Sequence, residues 1–89
     1  IDLVTRITRA ELLRKNGRIR EAITEFRKLT AEEGTFPELL RAMNYVRLGD
    51  ALRDFGDENE ARKVWQQGIR LDKTGTIKAE VAERIGTND

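Results

Sequence analysis

The sequence predicts an all-α chain of about five helices, stacked as antiparallel pairs. Three observations predict it. Apolar residues recur at helical spacing through successive segments. Glycine-containing breaks at Gly17, Gly34, Gly56 and Gly75 divide those segments, and nowhere do apolar and polar residues alternate for long enough to make a strand. Charged residues are 37% of the chain against 38% apolar, a balance that suits helices buried on one face better than a sheet buried on both.

The first helix is expected over residues 3 to 16. Leu3, Ile7, Ala10 and Leu13 or Val4 recur along it, and Asp2 stands where an N-cap is needed. Asn16 and Gly17 tolerate the left-handed conformation that closes a helix, and Arg14 and Lys15 in the last turn suit its dipole. The second helix starts at Arg18 or Ile19 and runs to about Glu32, with Ile19, Ala22 or Ile23, Phe26 and Leu29 as its apolar stripe and Gly34 as its stop.

Thr35 and Glu38 then have the spacing of a capping box around Pro37, which is tolerated in a first turn. The third helix, Pro37 to Phe55, is the longest and ends at Gly56; Tyr45, Leu48, Leu52 and Phe55 point toward its paired helix. Asp57 and Glu60 repeat the capping-box spacing. The fourth helix reaches Leu71 or Asp72 and offers Val64, Trp65, Gly68, Ile69 and Leu71 for packing. Residues 74 to 76 break it. Thr76 caps a short fifth helix whose stripe is Ile77, Val81 and Ile85, and Gly86 closes it.

The chain also repeats itself. Placing Gly17 on Gly56, an offset of 39 residues, brings Ala10 onto Gly49, Leu13 onto Leu52, Glu21 onto Glu60, Ala22 onto Ala61 and Phe26 onto Trp65. Glycine inside a helix costs about 1 kcal/mol relative to alanine, so Gly49 and Gly68 imply close helix contact that offsets the cost. Trp65 and Tyr45 read as core aromatics at helical spacing rather than as a ligand-stacking pair.

Tyr45, Leu48, Gly49, Leu52, Gly56, Ala61 and Trp65 together resemble the tetratricopeptide repeat, whose unit spans ~34 residues. Gly68 stands where that family prefers alanine, and Lys73 replaces its terminal proline. The first unit matches at Ala10, Leu13, Gly17, Ala22 and Phe26 but has Arg6 and Arg9 in place of large apolar residues, and extra length falls between Thr30 and Leu40. The resemblance implies one domain over residues 1 to 89: a degenerate first repeat with an insertion (1 to 36), a second repeat (37 to 73) and a capping helix (76 to 86). It implies helix pairs wound as a short right-handed α-solenoid.

On the third helix, Leu39, Met43, Val46, Asp50 and Arg53 form a second stripe, on another side of the helix from the first. On the first helix the matching stripe is Val4, Ile7, Glu11 and Arg14. In the resembled family this side lines a concave groove, so Ile7, Glu11, Arg14, Leu39, Met43, Val46, Asp50 and Arg53 are the expected partner-binding residues; for Met43 and Val46 the alternative is burial against neighbouring helices. The family's clamp for acidic C-terminal peptides needs Lys or Asn where this chain has Ile7, Glu11, Val46 and Asp50, so that ligand is not expected. An anion site around Arg14, Lys15, Arg18 and Arg20 is a separate possibility, set against a solvated loop complementing the helix dipole.

Function classes narrow further. Seventeen basic residues against sixteen acidic ones leave no excess for nucleic acid. No apolar run approaches the ~20 residues of a membrane span. Histidine, cysteine and serine are all missing, which removes the commonest general base and nucleophiles, and no phosphate-binding glycine motif is present. No enzyme activity, cofactor, metal or small-molecule substrate is expected. The compartment is not fixed, with the cytoplasm as default, and the start at Ile1 reads as a piece of something longer. The expected function is a protein–protein interaction module that holds a peptide or helix of another protein. The alternative is a structural segment that self-associates or is buried within a larger repeat protein.

Overall fold

The structure is a computed structural model that describes residues 2–32 and 37–85. It is all-α: α1 (Leu3–Lys15), α2 (Ile19–Ala31), α3 (Glu38–Phe55), α4 (Glu58–Leu71) and α5 (Thr76–Ile85), with no strand among the described residues. Each helix contacts the next in sequence, and α3 also contacts α1 and α5. The odd-numbered helices thus form one layer, within a slab whose Cα extents are 39 × 28 × 16 Å.

Local chemistry sets the boundaries. Asp2 Oδ1 accepts the Thr5 N–H at 2.8 Å and starts α1. Gly17 (φ 82°) and Gly56 (φ 104°) take the left-handed conformation that closes α1 and α3, where a side chain would be strained. The two closures match in detail: Arg18 N–H donates to Leu13 O and Asp57 N–H to Leu52 O, both at 2.9 Å. The 39-residue register thus also aligns these two helix closures. Asp57 Oδ1 accepts the Glu60 N–H at 3.2 Å. The expected capping box at Thr35 and the stops at Gly34 and Gly86 lie outside the described residues.

Two local expectations are corrected. Pro37 is the N-cap of α3, not its first helical residue, with ψ 147° and no side-chain capping bond. Thr76 does not cap α5. Asp72 does: its Oδ2 accepts the Ile77 N–H at 2.6 Å and its Oδ1 accepts the Thr74 N–H at 3.0 Å. Asp72 reaches across the turn because its backbone is already fixed by the end of α4.

The core forms one cluster through all five helices. At its centre Trp65 is fully buried, and its indole N–H donates to Val46 O at 3.1 Å. A Cβ built at Gly49 would fall inside that indole, and one at Gly68 would stand 2.9 Å from Ala42 O. These two approaches explain why α3 and α4 carry glycine in mid-helix. The other unit uses Ala10 and Phe26, both fully buried, at the matching positions. Arg6, where the resembled pattern expects an apolar residue, instead joins the start of α1 to the end of α2 through two hydrogen bonds to Glu32, at 2.9 and 2.6 Å.

α3 is buried on several sides, because α2, α4, α1 and α5 all touch it. Its apolar arc is therefore not a single stripe. Leu48 and Leu52 are buried and Tyr45 half-buried, but Phe55 is 50% exposed. Phe55 lies in the last turn, beside the start of α2, with the Arg20 guanidinium carbon 5.5 Å from its ring centre.

Asn44 is the polar exception on this helix. It is buried, and neither its side-chain oxygen nor its nitrogen has a hydrogen-bond partner among the described residues. An amide desolvated without partners is destabilising. Leucine has nearly the same branched shape, so Asn44→Leu is expected to raise stability by about 1 kcal/mol, read as a higher urea midpoint at unchanged m-value.

Candidate functional site

Charged side chains on α1, α3 and α5 join these three helices to one another. Glu11 and Arg14, one turn apart on α1, are joined by two hydrogen bonds at 2.9 and 3.1 Å. Arg14 also donates to Asp54 Oδ2 on α3 at 2.8 Å, and Arg47 of α3 stands 3.5 Å from Glu11 Oε2. Further along, Asp50 on α3 takes two hydrogen bonds from Arg84 on α5, at 2.6 and 3.1 Å. Two ion-paired groups result: Asp54, Arg14, Glu11 and Arg47 between α1 and α3, and Asp50 with Arg84 between α3 and α5.

The electrostatics follow. Burial disfavours the Glu11 carboxylate, but the Arg14 hydrogen bond and the Arg14 and Arg47 charges outweigh it and hold its pKa below the ordinary value. Arg14 is raised by its hydrogen bond to Glu11, against the opposing effect of burial and with help from Asp54. Arg84 is raised in the same way by Asp50. These groups stay charged throughout the physiological range.

The eight expected residues do not form one open groove. Glu11 and Arg14 belong to the network just described, with Ile7 and Met43 half-buried nearby on the same two helices. Val46 is 2% exposed and Asp50 6%, so neither lines an open surface: Val46 lies against Gly68 of α4 as well as facing α5, and Arg84 of α5 covers Asp50. Arg53 lies on the α4 side, its guanidinium carbon 5.5 Å from the Trp65 ring centre. Leu39 is 45% exposed in the first turn of α3. On α1, Val4 points outward and is exposed, together with Leu12.

Arg47, Asp54 and Arg84 were not expected and are central. A signal for two of them was present. Met43, Arg47, Asp50 and Asp54 repeat the i, i+4, i+7, i+11 spacing of the expected stripe, rotated about 50° around the helix. Their charges complement Glu11 and Arg14, which a stripe chosen for its apolar end did not register.

The proposed anion site is dispersed. Arg14 is engaged by Glu11 and Asp54, Arg18 by Glu21 at 2.7 and 2.8 Å, and Arg20 lies over Phe55. A gap of about 50 Å³ separates Met43, Val46 and Arg47 from Glu80 and Arg84, far below the ~300 Å³ of a small-molecule pocket. Among the described residues no cluster of His, Cys, Asp or Glu is arranged to hold a metal ion, and no helix is long and apolar enough to cross a membrane. Comparison with family models, with curated proteins and with solved structures finds no match to this chain.

The attachment of α5 has a pH signature. Hydrogen bonds from the Ile77 N–H and from Thr74 hold Asp72 below its ordinary 3.8. A depressed carboxylate stabilises above its unfolded pKa, and that contribution is lost as pH falls through the lower folded value. The α5 amides are therefore expected to lose hydrogen-exchange protection as pH falls below about 4, ahead of those of α3 and α4. In Asp72→Asn this selective loss should vanish; identical acid profiles for all helices in the parent chain would contradict it.

Proposed function

We propose that this chain is a non-enzymatic protein-binding module of the tetratricopeptide type, a short α-solenoid that holds a peptide or helix of a partner protein against the α1–α3–α5 layer. The observation that carries this reading is the convergence of Arg14 and Arg47, from two helices, on Glu11. Charged groups fixed in place on one face cost little further ordering when a partner's polar groups replace one another's contacts. Two features support the repeat assignment: the matched backbone closures at Gly17 and Gly56, and the small-against-large packing of Gly49 on Trp65. A near-neutral chain without histidine, cysteine or serine fits a polypeptide partner better than nucleic acid or a substrate.

The test is selection of a random peptide library on the full chain, followed by amide chemical-shift mapping. Selected peptides should perturb Glu11, Arg14, Met43 and Arg47, and Arg47→Ala should weaken them about tenfold. Peptides that map to α2 and α4 alone would refute the assigned face.

A second reading, self-association, is favoured by one observation. Val4 and Leu12, two turns apart on α1, are both exposed on the outer edge of the layer. A sedimenting dimer that Leu12→Glu dissociates would establish it.

A further inference from the structure

α5 itself shows what the covered side of α3 accepts. Its Ile77 and Val81 are buried in the cluster that contains Val46 and Trp65. Three residues past Val81, Arg84 meets Asp50 with Nε to Oδ1 at 2.6 Å and Nη2 to Oδ2 at 3.1 Å. The seat thus reads an apolar residue, a second one four positions on, and an arginine three further. Lys78, Ala79 and Glu83 are exposed, and Glu80, also exposed, borders the gap opposite Met43, Val46 and Arg47.

The hold on α5 is slight. It has ten residues, too short to be stably helical alone in water. Its described attachments are two branched side chains, one ion pair and the Asp72 turn. α4, by contrast, is locked by a fully buried indole and two glycine approaches. When α5 leaves, Asp50 is uncovered beside the α5-facing side of Val46, whose other side stays on Gly68 of α4: a carboxylate beside apolar surface, which favours an incoming guanidinium.

We infer that α5 is an intramolecular occupant of a helix-binding site, and that a partner's helix carrying the same apolar–x3–apolar–x2–arginine pattern takes its place. This rests on the protein-binding reading above, and it names the partner's chemistry and the element that competes with it. In the resting chain the site is closed, and binding requires opening of the Asp72–Gly75 turn.

The probe is a fluorescein-labelled peptide of residues 72–85, this chain's own α5, titrated by anisotropy into the 89-residue parent and its Arg84→Ala variant. The variant, with α5 loosened, should bind about tenfold tighter than the parent, and a probe carrying Arg84→Ala should bind the same variant about tenfold more weakly. Equal affinities in either comparison would overturn the inference. A dimeric Arg84→Ala variant that excludes the probe would also overturn it, since a second copy would then be the occupant. Hydrogen exchange on the unmodified chain gives a reading independent of variant folding. The α5 amides should exchange about a hundredfold faster than those flanking Trp65, and equal protection would mean that α5 does not open separately. Should the probe fail while library peptides still bind the Glu11–Arg47 face, this inference falls and the module reading stands.

Discussion

Replacing Trp65 with alanine is expected to remove about 3–5 kcal/mol of folding free energy, a large share of the roughly 5–13 kcal/mol a chain of this length possesses. The indole is fully buried at the contact between α3 and α4, so the substitution removes its transfer free energy and also leaves a cavity. The floor of that cavity is Gly49, which has no side chain to fold into it. Collapse would need α3 and α4 to approach, and Gly68 already sits against the backbone at Ala42. The lost hydrogen bond to Val46 O matters less, because that carbonyl lies inside α3 and keeps its helical donor. Trp65 is the only tryptophan, so the measurement must use far-ultraviolet circular dichroism during urea unfolding rather than intrinsic fluorescence. A soluble variant that loses less than about 1 kcal/mol would mean that the indole is not the keystone of the second unit.

What the sequence made legible is what depends on near neighbours in the chain. Asp2 and Asp57 cap as their spacing implies, because a side-chain oxygen three residues before an unpaired N–H has few other options. Gly17 and Gly56 close their helices because few other residues accept that backbone conformation. Close contact at Gly49 and burial of Trp65 were each legible, the first because glycine in mid-helix needs such a reason; that the two meet is shown by the structure. The failures concern rotation about the helix axis. α3 is enclosed by four other helices, so the stripe facing solvent depends on where α5 settles, and that is decided by Ile77, Val81 and Arg84 rather than by α3. Asp50 therefore moved from expected groove lining to covered seat and Val46 took the burial that was its stated alternative, while Arg47 and Asp54 joined the charged contacts with α1. Cap choice at α5 failed for a related reason. Thr76 and Asp72 both qualify by residue type, and the geometry of the turn leaving α4 selects the aspartate.

The same dependence on near and far neighbours explains how the two units differ. Both bury an aromatic ring on the second helix of the pair and place a small residue at the matching point of the first. The unit with the indole has glycine at that point and the unit with the phenyl ring has alanine. The larger ring faces the smaller residue, and this makes a sharp test of whether the repeat is one of packing or merely of letters.

Gly49→Ala alone is expected to cost about 2 kcal/mol, despite the ~1 kcal/mol that alanine gains over glycine in a helix. The added Cβ would overlap the indole, a rigid group with buried surroundings on every side, so relief requires α4 to shift as a body. In a Trp65→Phe background the same substitution should become neutral or stabilising, because the pair then reproduces Ala10 with Phe26. Trp65→Phe by itself should cost an intermediate amount through the smaller cavity it leaves. The double-mutant cycle is therefore expected to show a favourable coupling of about 2 kcal/mol between positions 49 and 65. Urea unfolding of the four chains measures it directly. Additive effects would mean that the indole can move aside at little cost, and the small-against-large contact would then no longer account for the fit of α3 against α4.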